Sequence, residues 1–220
     1  DNSDSLSQQA RLKVEEKTAP TISNLSPSSG AYVTTSLPTI GFTIADSGSG
    51  LDLSKIYVKI DSGTAVAVSP TTGSSLASGT VSYTVPSALG DGSHTVRVYC
   101  YDLDGNKSEE ETATFTVDTV DPSLNVTAPT TSSITNVAAC NVVGTTNDAT
   151  SSTVTVTVKL NSVDQGTVAV SEGSFSKAIT LSEGSNTIEV TATDAAGRST
   201  TQTITVTLDT QAPVITAISF

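Results

Sequence analysis

The chain of 220 residues carries a formal net charge of −12, because 22 acidic residues outnumber 10 basic ones. This acidity argues against nucleic acid as a partner, since phosphate binding requires a basic surface. No apolar run approaches the roughly 18 residues that a membrane-spanning helix needs, and the length favours two modest domains over one large core.

Residues 1–18 repeat the spacing that is seen at a later strand end. Asp1 precedes Pro20 by 19 positions, as Asp194 precedes Pro213 by 19 positions. A constant spacing between such markers is typical of repeated modules. We therefore predict that residues 1–18 form the last strand, or the tail, of a preceding module.

Residues 19–118 have the pattern of one module of short β-strands. Thr39–Ala45 (TIGFTIA) and residues 55–61 (KIYVKID) alternate apolar and polar side chains, which predicts strands with one buried face. Residues 69–79 contain Pro, Gly and Ser in close succession and are predicted to form a loop.

A repeated stretch closes the first module and defines a second one. The sequence LGDGSHTVRVYCYDLDG at residues 89–105 returns 92 positions later as LSEGSNTIEVTATDAAG at residues 181–197. Each copy contains a glycine turn, an alternating strand and Asp-x-x-Gly, which predicts a hairpin with the strand that follows. Residues 119–210 thus form a second module, and residues 211–220 begin a following module or form a linker.

The fold class follows from the spacing of these strands. No segment keeps a helical period over about ten residues, whereas short alternating strands recur throughout both modules. Seven or so short strands per module favour an antiparallel sandwich of two sheets. The prediction is an all-β chain with two such sandwiches in tandem, as part of an extended array.

The ends of the two modules resemble those of bacterial immunoglobulin-like domains. They read HTVRVYCYDLDGNKSEEETATFTVDTVDP and NTIEVTATDAAGRSTTQTITVTLDTQAPVI, in which a strand, D-x-x-G-N and a strand ending in D-T-x-x-P follow one another. Arg198 replaces the asparagine that is usual at its position. The resemblance covers residues 19–210 and implies immunoglobulin-like sandwiches in large extracellular or cell-surface bacterial proteins, where they act as stalks, adhesin repeats or accessory domains of polysaccharide enzymes.

The sequence offers little for catalysis. Its only histidine, His94, stands where the other copy of the repeat has Asn186, and Cys100 stands where that copy has Ala192. Cys100 and Cys140 are therefore predicted to be free thiols that pack as small apolar residues, without a disulfide between the modules. We predict a chain that is not an enzyme.

Three functions remain open at the level of sequence. The first is a structural spacer or stalk segment, adhesin-like and monomeric, whose partners are neighbouring modules of the same chain and whose task is to present another domain. The second is a binding module for a surface carbohydrate or protein. The third is a decoration domain of a phage tail or virion, built on the same fold.

Acidic loop residues suggest calcium at one pole of each sandwich. In such a fold the loop after an early strand and the loop of the last hairpin meet where the preceding module joins. Oxygen ligands are what Ca²⁺ requires, although Asp, Asn and Gly also serve turns for backbone reasons alone. The first pole is predicted to gather, beside Glu15 and Glu16, the residues Asp46, Asp52, Asp102, Asp104 and Asn106. The second is predicted to gather fewer carboxylates: Asp118, Asp121, Asp148 and Asp194.

One outward face of the first module combines aromatic and basic side chains. Tyr57, Lys59, Arg97, Tyr99 and Tyr101 have the strand parity opposite to that of the buried residues. Such a face could stack on a sugar ring or contact a partner protein. Ordinary cross-strand pairing is the alternative interpretation.

Overall fold

The computed structural model describes residues 16–72, 77–151 and 153–214, and within these residues it contains β-strands and no helix. Most of the segments predicted to belong to neighbouring modules, residues 1–18 and 211–220, lie outside the described residues. Two compact units divide the chain. The first consists mostly of residues up to Phe115, and the second of residues from Thr116 onward together with Tyr32–Ser36 and Leu89–Gly92.

The first sandwich is built from the strands that precede residue 118. They are β1 (Thr21–Ser26), β2 (Tyr32–Val33), β3 (Thr39–Ala45), β4 (Leu51–Ile60), β5 (Val66–Val68), β6 (Pro70–Thr72), β7 (Ser78–Thr84), β8 (Gly92–Asp102) and β9 (Glu111–Val117). One sheet has the order β1-β3-β7-β6 and the other has the order β2-β9-β8-β4-β5.

The second sandwich is built from the strands that follow. They are β10 (Ser123–Ala128), β11 (Ser133–Thr135), β12 (Ala139–Asn147), β13 (Thr155–Leu160), β14 (Val163–Val168), β15 (Val170–Ser171), β16 (Ser174–Thr180), β17 (Gly184–Thr193) and β18 (Ser199–Leu208). Its sheets have the orders β10-β12-β16-β15 and β11-β18-β17-β13-β14.

Both sandwiches therefore have the same topology, since each strand of the second corresponds to the strand nine places earlier in the first. The strands pair antiparallel with one exception in each sandwich. The short strands β2 and β11 run parallel to β9 and β18. The predicted all-β class with two immunoglobulin-like sandwiches is confirmed, with these short parallel pairs as an addition.

Alternation along the strands places the apolar side chains in the two cores, as period-two patterning requires. The predicted inward residues are buried, among them Ile40, Phe42 and Ile44 on β3 and Ile188, Val190 and Ala192 on β17. Ile60 at the end of β4 is an exception, because it is only half-buried.

The prediction of one uninterrupted loop over residues 69–79 was wrong. Pro70–Thr72 forms β6, which pairs with β7, and β7 itself begins at Ser78. Pro70 has no N–H to donate, but as a residue of the strand at the sheet edge it leaves no inner hydrogen bond unmade. The Pro, Gly and Ser content predicts a loop here, but a strand at the edge of a sheet tolerates these residues.

Candidate metal sites at two carboxylate clusters

Three acidic residues meet at one end of the first sandwich. Asp46 directly follows β3, Asp102 is the last residue of β8, and Glu16 precedes β1. Each offers one carboxylate oxygen, and these oxygens all lie within 4.8 Å of one another. We call Glu16, Asp46 and Asp102 the first cluster.

The carboxylate of Asp46 is held by the turn that follows it. Its Oδ2 atom accepts hydrogen bonds from the backbone N–H groups of Gly48, at 3.0 Å, and Gly50, at 2.6 Å. Such a turn is why aspartate suits the end of a strand. The Oδ1 atom, by contrast, is buried and has no hydrogen-bond donor among the described residues, in a residue that is only 7% exposed.

Asp102 is fully buried, and Asn106 satisfies both of its oxygens. The Asn106 backbone N–H donates to Oδ1 at 2.7 Å, and its side-chain amide donates to Oδ2 at 2.6 Å. Burial acts to raise the pKa of Asp102, but hydrogen bonds from Asn106 and from the backbone of Gly105 and Asp104 together outweigh it, so the pKa lies below its ordinary value. Asp102 is therefore ionised at neutral pH.

Glu16 reaches the cluster from the segment ahead of β1. Its carboxylate accepts hydrogen bonds from the backbone N–H groups of Thr18 and Ser49, and hydrogen bonding to these two residues lowers its pKa. A Cβ at Gly48 would overlap this carboxylate. Glycine at that position thus makes room for Glu16.

The second cluster comprises Asp118, Asp148 and Asp194, which directly follow β9, β12 and β17. All three are buried, and their offered oxygens also lie within 4.8 Å of one another. The residues occupy the same places in the second unit as Glu16, Asp46 and Asp102 do in the first. The correspondence follows from topology, because β12 and β17 are the counterparts of β3 and β8.

Two oxygens of the second cluster are buried without a hydrogen-bond donor among the described residues, namely Oδ2 of Asp148 and Oδ2 of Asp194. The opposite oxygen of Asp148 accepts from the backbone N–H groups of Thr150 and Ser151. Asp194 Oδ1 accepts from the backbone N–H of Arg198 at 2.9 Å. Both aspartates are 6% exposed, so bulk water does not compensate for the missing donors.

In the second cluster, a single hydroxyl lies between the carboxylates of Asp118 and Asp148. Ser151 Oγ is 2.8 Å from Asp118 Oδ2 and 3.0 Å from Asp148 Oδ1. It carries one hydrogen and can donate to only one of them. Sequence reasoning missed Ser151, although a serine three positions after a strand-ending aspartate is typical of a side-chain-stabilised turn.

Some residues predicted to join the clusters lie outside them. Asp52 forms an ion pair with Lys55 at 3.0 Å, and Asp121 forms one with Arg198 at 2.8 Å. Asp104 accepts a hydrogen bond from the backbone N–H of Glu16. Among the described residues each cluster holds three carboxylates, whereas fewer were predicted at the second pole.

Two predicted contributors are different cases. Asn106 supports the first cluster as a hydrogen-bond donor, since its amide also reaches the Glu16 carbonyl oxygen at 2.8 Å. Glu15 lies outside the described residues.

The donor set of both clusters fits a hard divalent cation. Ca²⁺ binds oxygens at about 2.3–2.6 Å, so oxygens on opposite sides of the ion are about 4.6–5.2 Å apart. The offered oxygens of each cluster, all within 4.8 Å of one another, are close enough to contact one such ion. Zn²⁺ prefers nitrogen and sulfur ligands, and neither cluster contains histidine or cysteine.

The predicted outward face of the first sandwich is one continuous surface, which we call the tyrosine face. Tyr57 on β4 lies directly opposite Tyr99 on β8, and Lys59 lies opposite Arg97. The Tyr57 and Tyr99 rings stack with centroids 5.0 Å apart, and the Tyr101 ring stands edge-on to both. This register is consistent with a ligand-binding surface and equally with ordinary cross-strand pairing.

The two cysteines and the histidine, which could have served catalysis, are held in packing and hydrogen-bonding contacts. Both cysteines are free thiols, as predicted. Burial raises the pKa of Cys100 to about 11 and also raises the pKa of Cys140. The His94 ring nitrogen Nδ1 lies 2.8 Å from Asp61 Oδ2, at a position where Asn186 bonds to Asn161 in the second sandwich.

The fold and its repetition define a protein made of immunoglobulin-like modules. Residues 26–119 match the family model "Bacterial Ig-like domain", which confirms the resemblance seen in the sequence. Residues 122–210 match the model "Glucodextranase, domain B". Among curated proteins, none matches the sequence of this chain.

Solved structures resemble this chain at low sequence identity. The fibronectin(III)-like modules of Clostridium thermocellum CbhA superpose with a TM-score of 0.51 at 17% identity, covering 86% of this chain and 93% of theirs. For domains FN1–FN3 of chicken CNTN1 the TM-score is 0.43 at 14% identity, with 87% and 67% covered. For a tetra-tandem repeat from the extending region of a large adhesion protein it is 0.34 at 24% identity, with 88% and 50% covered. None of the described residues forms a helix that could cross a bilayer.

Proposed function

We propose that this chain is a calcium-binding spacer segment of a bacterial cell-surface or secreted multidomain protein, in which it presents another domain. The single observation that carries the proposal is the repetition of a three-carboxylate cluster, buried except for the half-buried Glu16, at equivalent places in two sandwiches. Turn formation needs one aspartate per turn. It gives no reason for three carboxylates from three separate segments to converge twice.

The electrostatics of the clusters call for a counter-charge. Negative charges on three carboxylates whose offered oxygens lie within 4.8 Å of one another repel, and burial strengthens such repulsion because the local dielectric constant is low. Asp46 Oδ1, Asp148 Oδ2 and Asp194 Oδ2 lack hydrogen-bond donors. One divalent cation at each cluster would offset two negative charges and give these oxygens a partner.

Within each unit the cation would join three segments that are distant in sequence. In the second unit these are the residue after β9, the turn after β12 and the turn between β17 and β18. Binding to the folded state alone stabilises a protein by about 2.7 kcal/mol at a free ligand concentration of about 100 times Kd. A spacer gains from such an addition because its task is to remain folded while it holds another domain.

Thermal unfolding in chelator and in millimolar CaCl₂ tests the calcium sites. We expect Ca²⁺ to raise the unfolding temperature by several degrees. The double variant Asp102→Asn/Asp194→Asn should abolish most of that rise. The matched control is Asp121→Asn, which removes an acidic group next to the second cluster but outside it. Equal melting temperatures with and without Ca²⁺ would refute the sites.

Replacement of the segment in its native protein tests the spacer role separately. Residues 19–210 would be exchanged for two immunoglobulin-like domains of similar length that lack the clusters and the tyrosine face. If the segment is a spacer, the presented domain stays exposed at the surface and keeps its activity. Loss of that activity, with the exchanged protein still folded and displayed, would show that this segment does more than space.

A further inference from the structure

We propose that the tyrosine face of the first sandwich binds acidic polysaccharide, with the rings stacking on the sugars and Lys59 and Arg97 pairing with their carboxylates. This proposal goes beyond the spacer role and does not depend on calcium. It rests on the composition of the face, on its charge and on a comparison with the same face of the second sandwich.

The second sandwich shows what this sheet needs for its own stability. At the rungs that correspond to Tyr57–Tyr99 and Lys59–Arg97, it has Thr157 opposite Thr191 and Lys159 opposite Glu189. The Lys159 and Glu189 side chains form an ion pair at 3.0 Å. Threonine pairs and opposite charges are the ordinary cross-strand partners of a solvated sheet face.

The first sandwich departs from that pattern at both rungs. Lys59 and Arg97 bring like charges opposite each other, which destabilises a pair of strands. Arg97 is partly compensated by Glu110 at 3.5 Å, whereas no carboxylate of a described residue pairs with Lys59. The like-charge pair does not stabilise the fold, but it would attract an anionic ligand.

The aromatic residues beside this basic pair form an open groove. Its walls include Tyr57, Tyr99 and Tyr101, together with Lys55, Thr64 and Gly105. Lys107 Nζ lies 4.2 Å from the centroid of the Tyr99 ring, so a further cation stands at the groove. The Lys59–Arg97 rung lies two residues along the strands from the tyrosine rung, about 7 Å away on the same face.

The basic side chains of the tyrosine face favour an anionic ligand. They stand out because the chain as a whole is acidic. The protein has a net charge of −12, yet four of its ten basic residues lie on or beside this face. They are Lys55 and Lys107, which pair with Asp52 and Glu110, together with Lys59 and Arg97. Flat phenol rings offer an apolar surface and a polar hydroxyl to a sugar, and guanidinium and ammonium groups form strong pairs with carboxylates. A uronate-containing polysaccharide presents both features along one chain.

The test measures binding of polygalacturonate by retardation in native gels and by titration calorimetry, in chelator so that Ca²⁺ cannot bridge protein and polymer. We expect the unaltered protein to bind and its affinity to fall with added salt. Tyr57→Thr/Tyr99→Thr, which installs the rung of the second sandwich, should weaken binding about tenfold or more. Lys59→Glu should weaken it similarly without lowering the melting temperature, because it restores an opposite-charge pair with Arg97.

Control variants and control polymers distinguish binding at the tyrosine face from binding elsewhere or to other ligands. Lys159→Glu in the second sandwich removes the same charge from the corresponding rung and should leave binding unchanged. Equal binding to neutral dextran, to oligothymidylate or to polyglutamate would overturn the proposal, since it would point to stacking alone, to nucleic acid or to an acidic peptide. Absence of polygalacturonate binding at low salt would overturn it as well. Because calcium is removed throughout, failure here would leave the calcium-binding spacer untouched.

Discussion

In the first cluster both oxygens of Asp102 accept hydrogen bonds from Asn106, whereas in the second cluster Arg198 donates from its backbone to only one oxygen of Asp194. Arg198 turns its guanidinium to Asp121 instead, and its Nε atom is buried without an acceptor. A single residue therefore decides how many carboxylate oxygens remain unsatisfied. The second cluster therefore has more to gain from a bound cation than the first.

The cores of the two sandwiches differ at one pair of facing residues. Phe42 on β3 lies opposite Val81 on β7, whereas at the corresponding rung Gly144 on β12 lies opposite Phe175 on β16. The large side chain has moved from one strand to its neighbour. The two cores are thus filled by exchanging partners across a rung, with the topology unchanged.

The largest effect is expected for Gly144→Ala. A Cβ at Gly144 would lie 2.5 Å from both the Asn125 carbonyl oxygen and Phe175 Cζ, and such overpacking costs about 1–3 kcal/mol. Urea unfolding should show this loss in the second unit. Gly41→Ala is the matched control, since its nearest contact would be at 3.9 Å. Equal losses for both variants would contradict the packing argument.

Exchanging the residues that distinguish the clusters should exchange their calcium dependence. Arg198→Asn supplies a donor for Asp194 Oδ2 and should stabilise the calcium-free protein by about 1 kcal/mol, which reduces the increment that Ca²⁺ adds. Asn106→Arg should do the opposite. The measurement is the free energy of unfolding with and without Ca²⁺.

A control is needed because Arg198→Asn also removes the ion pair with Asp121. Asp121→Asn removes that ion pair alone and should change little, because the pair is largely exposed on the Asp121 side. If Arg198→Asn and Asp121→Asn behaved alike, the unsatisfied oxygen of Asp194 would not be the cause.

Acid should weaken the fold in a defined direction. Opposing the effect of burial, hydrogen bonds hold the pKa values of Asp102 and Asp148 below the ordinary value of 3.8. Each group therefore binds fewer protons in the folded state, so its contribution is complete above pH 3.8 and is lost as the pH falls through the lower, folded pKa. In chelator, these two groups should leave the denaturant midpoint unchanged down to about pH 5 and should lower it at about pH 3. An increase in stability below pH 3.8 would contradict the assignment.

The smallest effect concerns the outer face of the second sandwich. Glu189→Arg replaces the ion pair with Lys159 by a like-charge pair of the kind seen at Lys59 and Arg97. We expect a loss of about 0.2–1 kcal/mol at low salt, shrinking as salt screens the repulsion. A gain in stability would show that such a rung carries no cost and would weaken the argument from the tyrosine face.

Alternation and repetition were sufficient to predict the sandwiches, because burial of one strand face leaves a period of two in the sequence. The clusters were predicted in part. Asp46 and Asp102 follow from where strands end, and Glu16 from its place in the segment ahead of Pro20. The ion pairs that hold Asp52 to Lys55 and Asp121 to Arg198 are not visible in strand spacing.

The unsatisfied oxygens could not be predicted from spacing. Whether Asp194 Oδ2 has a donor depends on the direction in which the Arg198 side chain turns, and no periodic pattern encodes that direction. The departure of Arg198 from the usual asparagine was visible in the sequence. Its consequence for the neighbouring carboxylate needed coordinates.

Each cluster takes one member from ahead of the first strand of its own sandwich, and this position has a consequence for how such modules can be exchanged. Glu16, Asp118 and Asp209 all stand four positions before a proline, at Pro20, Pro122 and Pro213. A gene fragment cut at the proline would carry two carboxylates of a site and leave the third behind. Such a fragment therefore needs the segment ahead of its proline, as well as its own sandwich, to keep the complete cluster.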